Sequence, residues 1–405
     1  MIYLDYQATT PLAPEAAEAM RPWLEAGFAN PHSSHRLGRE AAAALEVARE
    51  RVIEALGPSS VRVERSRDTR SSEAKKDSLG SARQGPSTSL GANGKLYFTS
   101  GATEAINWAL KGAASRLPPD RRRIVTLATE HAAVLDTAEY LAGLGFDIEI
   151  LPVAPDGLVD FDAVEAALTI PTGLVAAMLV NNEIGVIQPV ARIGALARAS
   201  GALFLCDAVQ GFGRVPVPLA DCDLVALSAH KVHGPKGIGA LWVRDGAELD
   251  PLLHGGGQEG GLRSGTLSPA LCAGFGEAAR LLVERADRDR AHVERLWEKG
   301  EAAMSGWTLN GSADRRYRGN LNLRRDGVDS ARLISELRGI AFSAGSACAS
   351  GSGRPSHVLA ALGLSDREAR SSLRLGFGRY TTEDELAEAL ALIDSAASRQ
   401  PGLAA

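Results

Sequence analysis

The chain predicts an α/β fold, with one large, mainly parallel sheet and a smaller α+β unit. Three observations carry that expectation. Short apolar runs, often β-branched, recur along the chain, and helical segments separate most of them. The third is length: 405 residues, 45% of them hydrophobic, bury a large core and suit more than one domain.

In chain order, Met1-Ile-Tyr-Leu-Asp-Tyr6 is an extended start. Residues 40–56 place Leu45, Val52 and Leu56 at helical spacing, and Gly57 stands where a helix stops. Residues 59–94 are polar, with nine serines, seven basic and four acidic side chains and no apolar period. This stretch is expected to be an inserted surface loop, with a binding arm as the less favoured alternative. Seven strands follow, at 95–99, 123–128, 146–153, 174–181, 202–207, 224–228 and 238–243. Helical segments at 269–286, 328–338 and 356–362 belong to the smaller unit. The division expected is a large domain over 15–258 and a small domain built from 1–14 and 259–405, with no internal repeat.

Charge and targeting narrow the function classes. A net charge of −5 gives no basic surface for nucleic acid, and no apolar run approaches the roughly 20 residues that span a bilayer. The start lacks a secretory pattern, so a cytoplasmic protein is expected. The four cysteines, at 206, 222, 272 and 348, are too scattered for a disulfide framework or a structural zinc site. Cys206 is expected to face the core. No histidine set has metal spacing, and His32, His35, His254 and His357 read as loop or helix-start residues.

The chemistry concentrates in Asp207-Ala-Val-Gln210 and Ser228-Ala-His-Lys231. A lysine amine can hold an aldehyde cofactor as a Schiff base, while a buried aspartate keeps a pyridine nitrogen protonated; together they suit pyridoxal phosphate. Asp207 ends an apolar strand, where open α/β sheets place ligands. Taken alone, it would read as a helix N-cap, and Lys231 as a solvated turn lysine. Ser100-Gly-Ala-Thr-Glu104 joins a strand to a helix, so backbone N–H groups near Ala102 and Thr103 can meet a phosphate. Cys348, in Ser343-Ala-Gly-Ser-Ala-Cys-Ala-Ser-Gly-Ser352, is a candidate nucleophile among small neighbours.

With Thr129-Glu-His131, Val180-Asn-Asn-Glu-Ile-Gly185, Gly255-Gly-Gly-Gln258, Arg263-Ser-Gly-Thr266 and Gly345-Ser-Ala-Cys348 in the same order, the chain resembles the cysteine desulfurases. The resemblance is to the long-loop group within the class V, fold type I pyridoxal phosphate enzymes. It implies that Lys231 carries the cofactor, Asp207 pairs with its ring nitrogen, and His131 stacks on the ring and assists proton transfer. Asn182 and Gln210 would contact the ring's hydroxyl side, with Asn182 also near substrate. Thr103, Ser228 and His230 would hold the phosphate. Thr266 would reach the partner subunit's phosphate in a homodimer, and Arg374 would grip the substrate carboxylate. L-cysteine would yield alanine, with sulfur held on Cys348 as a persulfide for scaffold or carrier proteins in iron–sulfur assembly or tRNA thiolation. No resident metal site is implied, the one contact left open being Cys348 with a cluster or metal during transfer. Selenocysteine lyase, or a catalytically idle binding protein of a sulfur pathway, are the alternatives. Two features depart from the family pattern: Gly260 stands where arginine is common, and the 59–94 insert replaces a short connection.

Overall fold

The computed structural model describes residues 1–57, 93–345 and 356–400. Its first part comprises β1 (Ile2–Tyr3), α1 (Pro14–Glu25), α2 (Arg36–Leu56), β2 (Gly94–Thr99), α3 (Ala102–Ala114), β3 (Arg123–Leu127), α4 (Ala132–Ala142) and β4 (Asp147–Leu151). Next come α5 (Phe161–Ala167), β5 (Thr172–Met178), α6 (Val190–Ser200), β6 (Leu203–Asp207), β7 (Leu224–Ser228), β8 (Gly239–Arg244) and α7 (Pro269–Ala303). The last part holds β9 (Thr308–Leu309), β10 (Asn320–Arg324), α8 (Ser330–Glu336), β11 (Ile340–Ala341), β12 (Ser343–Ala344), α9 (His357–Ala361), α10 (Asp366–Arg370), β13 (Ser372–Gly376) and α11 (Glu383–Ser398).

The large sheet has seven strands in the order β2-β8-β7-β6-β5-β3-β4. From β7 to β4 every pairing is parallel, and β8 alone runs against its neighbours. Adjacent residues alternate between two cores. Val175, Phe204 and Val225 pack on one face with α2 and α6, while Leu174, Leu205 and Leu224 pack on the other with α3 and α4. Burial on both faces explains why these strands read as continuous apolar runs. The chain places β4 outside β3 and then returns to set β5 on the other side of β3. The strand order therefore reverses between β3 and β5, opening a crevice at their carboxyl ends.

The smaller unit is an antiparallel sheet, β12-β13-β10-β9, joined by the parallel pair β1-β11. Leu4 lies in its core with Leu321, Leu373, Leu375 and Ile393, and Asp5 bridges to Gly376, so the N-terminal strand is part of this unit. Helix α7, 35 residues long, connects the two cores. Phe275 and Leu282 are buried with the large sheet, whereas Leu296 and Trp297 are buried with the small one. The packing thus changes hands inside α7. Gly276 lets α7 lie against α2: a Cβ there would stand 2.6 Å from Ala48 Cα.

Helix α1 escaped the sequence reading because its only buried residue is Ala16, which leaves no apolar stripe to detect. Almost all of the 59–94 stretch lies outside the described residues, which resume at 93, with Gly94 opening β2. Among the described residues no helix is long and apolar enough to cross a membrane.

Candidate active site

A cavity of about 710 Å³ opens at the carboxyl ends of β3, β5, β6 and β7 and is lined from the smaller unit by residues 7–9 and Arg374. Strand β6 delivers Asp207 at its last position, and β7 delivers Ser228, after which a single 3₁₀ turn carries His230 and Lys231. His131 stands at the start of α4, just beyond β3, and Asn182 follows β5. Ala102 and Thr103 open α3, and Gln210 completes the wall. Ten of the residues singled out from sequence therefore converge: Ala102, Thr103, His131, Asn182, Asp207, Gln210, Ser228, His230, Lys231 and Arg374.

Asp207 is buried, and one of its oxygens accepts the Val209 N–H at 2.9 Å. Burial pushes its carboxyl above the ordinary range, while the Val209 N–H, His131 and Lys231 pull the other way. A buried carboxylate facing a cavity favours a cationic partner there. Lys231 Nζ donates to the carbonyls of Gln7 and Ala8, both at 2.7 Å. Burial, the first cause, holds His131 below the usual imidazole value, with the charge of Lys231 acting in the same direction. The Ala133 N–H donates to His131 Nδ1 at 3.0 Å, so the neutral ring carries its proton on Nε2. His230 is pushed down to about 4 by burial and by Lys231, Lys236 and Arg214, and its Nδ1 lies 3.1 Å from Thr9 Oγ1.

The end of α3 is suited to an anion. Gly101 precedes the helix and contributes no side-chain cap, so the amides of Ala102 and Thr103 sit at the cavity wall without one. Glu104 lies at the same end with its charge already engaged: it accepts the Ser100 N–H at 2.9 Å and pairs with Arg263 through Nε at 2.7 Å. Lys236 adds a cation to the same wall. These groups, with the Lys231 amine and the buried Asp207, have the chemistry to hold a pyridoxal phosphate.

Arg374 crosses from β13 with its side chain 1% exposed. Nη2 donates to Asp5 Oδ1 at 2.7 Å and Nη1 to the Asn182 carbonyl at 3.1 Å. Ser343 Oγ also donates to Asp5 Oδ1, at 2.9 Å, which fixes the carboxylate from a second side. The guanidinium is thus held at the cavity by groups from three distant parts of the chain.

Thr266 is exposed and is not among the residues that line this cavity. Cys348 lies outside the described residues. Gly260 sits in a left-handed turn at φ 67° with open space where a side chain would be. Cys206 is fully buried in the large core. His35 caps α2 by accepting the Gly38 N–H at 3.1 Å, and His357 begins α9 with Nε2 2.8 Å from the Glu130 carbonyl. Sequence reasoning missed Gln7, Ala8 and Thr9, whose contribution comes from backbone carbonyls and one hydroxyl and leaves no pattern to read. It also passed over Lys236, which lies in His233-Gly-Pro-Lys-Gly237 just after the lysine turn. Glu130 is the third omission: Oε1 accepts the Met178 N–H at 2.7 Å, and burial pushes its carboxyl well up. Among the described residues, no cluster of three His, Cys, Asp or Glu is arranged to hold a metal.

This arrangement of strand-end lysine, aspartate and histidine on a doubly wound sheet defines a cofactor-binding α/β enzyme, and the chain belongs to the aminotransferase class-V family, whose model matches residues 2–63 and 58–389. Within it, the chain belongs with the cysteine desulfurases. It is 42% identical to the cysteine desulfurase IscS of Rickettsia bellii (strain OSU 85-389), over 97% of this chain and 90% of the relative. A solved NifS-like protein superposes with a TM-score of 0.84 at 31% identity, covering 98% of this chain and all (100%) of that one. A structure of SspA in complex with cysteine superposes with a TM-score of 0.77 at 34% identity, over 94% of this chain and 100% of the other.

Proposed function

We propose that this chain is a pyridoxal phosphate-dependent cysteine desulfurase that converts L-cysteine to L-alanine and retains the sulfur on Cys348. The observation that carries the reading is the convergence of Lys231, Asp207 and the uncapped start of α3 in one cavity that Arg374 enters from the opposite unit. Lys231 would hold the cofactor, Asp207 would face its ring nitrogen, and Ala102, Thr103, Ser228 and His230 would surround its phosphate. Bound there, the cofactor supplies an electron sink for the carbon skeleton of the substrate.

The chain's own groups do the rest. Arg374 receives the substrate carboxylate and, held by Asp5, orients the α-carbon toward Lys231 Nζ. Lys231 takes and returns the α-proton, and His131, with its proton on Nε2, donates hydrogen bonds within the cavity rather than charge. Gln210 and Asn182 would contact the bound ring on its hydroxyl side. The Cys348 thiolate attacks the substrate sulfur, the carbon–sulfur bond breaks with its electron pair left on the substrate carbon, which is protonated to give alanine, and Cys348 keeps the sulfur as a persulfide. Thr266, exposed on the surface, would complete the cavity of a second copy in a homodimer. A sulfur-accepting scaffold or carrier protein would then discharge Cys348.

Incubating the purified protein with L-cysteine and pyridoxal phosphate, and following alanine and protein-bound persulfide together, tests the reading. Alanine and sulfur are expected in equal amounts, and both are lost in Cys348→Ser, while the cofactor absorbance is retained. Alanine production undiminished in that variant would remove Cys348 from the reaction. A protein that takes up no cofactor at all would overturn the whole assignment.

A further inference from the structure

A second cavity, of about 520 Å³, adjoins the same turn, so that Lys231 lines both. Its charge is unbalanced. Five arginines, Arg214, Arg290, Arg316, Arg318 and Arg379, face two carboxylates, Asp289 and Glu294. Both carboxylates are already engaged, Glu294 by Arg318 and Asp289 by Arg379, whose Nε donates to it at 2.7 Å. No carboxylate of this wall remains for Arg214 or Arg316.

Arg316 is 5% exposed, and its Nη2 donates to the carbonyls of Ile184 and Asn310. Among the described residues its Nε and Nη1 have no hydrogen-bond partner, and neither has Nη1 of Arg379. Buried charged donors left without acceptors are costly, and are retained where something else supplies the acceptor. Burial is also the main influence on both uncompensated guanidinium groups, pulling Arg316 down to about 9 and Arg214 below its ordinary value. An anion in the cavity would reverse both effects.

The remaining walls are apolar: Val215, Val217, Leu282 and Val293 line the space, and the Tyr317 ring lies 5.1 Å from the Arg214 guanidinium. A site with apolar walls and a few converging donors suits a small molecule rather than a lone inorganic ion. We infer that this cavity binds a small organic anion, its carboxylate or phosphate against Arg316 and Arg379 and its apolar body against Val217 and Leu282. The ligand would lie beside Arg214, which donates to the Lys231 carbonyl at 2.8 Å and to the Gln210 side chain. The second cavity is thereby one side chain removed from the first. The inference stands on this cavity's own charges and does not depend on the desulfurase reading.

Calorimetric titration of the full chain, with pyridoxal phosphate present so that the first cavity is filled, tests the site. Phenyl phosphate and phthalate serve as probes, and benzyl alcohol as the uncharged control. Saturable binding is expected for at least one anion and none for the alcohol, and comparison of the two anions separates a phosphate from a carboxylate preference. Arg379→Gln is expected to weaken binding about tenfold, the loss of one charge-assisted hydrogen bond. Val283→Trp, at a half-exposed position on the rim, is expected to fill the space and abolish binding without lowering the melting temperature. No saturable heat with either anion, or equal affinity in both variants, would overturn the proposal.

Discussion

The two sides of the active-site cavity are built by different means. On the sheet side, Asp207, Ser228, His230 and Lys231 sit at or just beyond the ends of adjacent parallel strands, so each position follows from the strand before it. On the other side, Arg374 is held by Asp5, 369 residues away in sequence, and by the carbonyl of Asn182. The sheet side is rigid because its strands are buried on both faces. The crossing side depends on how the smaller unit and the N-terminal strand meet the sheet. The sheet side is therefore expected to govern the chemical step, and the crossing side the grip on substrate.

The largest effect is expected from Lys231→Ala. Loss of the proton-transferring amine should lower turnover by about 10³-fold or more and remove the absorbance of covalently held cofactor. An unchanged spectrum would displace Lys231 from its role. Asp207→Asn comes next, with kcat reduced by about 10²-fold as an electrostatic stabiliser is removed, and with little change in KM. Steady-state kinetics on cofactor-saturated protein read both numbers.

Arg374→Gln is expected to act mainly on KM for cysteine, raising it about tenfold or more as charge-assisted hydrogen bonds are lost. Asp5→Asn should move KM in the same direction by less, since it removes only the group that orients the arginine. If Arg374→Gln lowered kcat as much as Asp207→Asn and left KM unchanged, the contrast between the two sides would collapse.

The smallest effect belongs to Glu130, which stands next to His131 and does not line the cavity. Burial raises its folded-state pKa well above the ordinary carboxylate value of about 4.3. Between that ordinary value and the raised one, the folded protein holds a proton that the unfolded chain has lost. Stability is therefore lost as pH rises through this window. Glu130→Gln keeps an oxygen for the Met178 N–H and removes the titration. Its melting temperature relative to wild type should climb by up to a few degrees from pH 5 to pH 8. A constant difference across that range would show that Glu130 does not titrate there.

Much of the sheet side was legible in the sequence. Apolar runs ending in Asp207 and Ser228 marked both strands and their ends, because a strand buried on both faces admits few polar residues before it terminates. Ordered motifs then tied Lys231, His131 and Asn182 to one family. The insert and the Cys348 loop were equally visible as polar or small-residue stretches, though both fall mainly outside the described residues. By contrast, Thr9 and the carbonyls of Gln7 and Ala8 were unreadable, since a backbone oxygen has no sequence signature. The Asp5–Arg374 pair was equally hidden, because nothing local connects residues so far apart.

By itself, then, the sequence determined the α/β class, the strand ends that carry the chemistry, and the family. Burial on both faces and residue type are local properties, written into short windows of the chain. Tertiary structure decided which carbonyls receive the Lys231 amine, which carboxylate holds Arg374, and where α7 passes from one core to the other. It alone brought Arg214, Arg316 and Arg379 around a second cavity. Those outcomes depend on long-range packing, where the partner of each polar group is chosen by how two separately formed units close on one another.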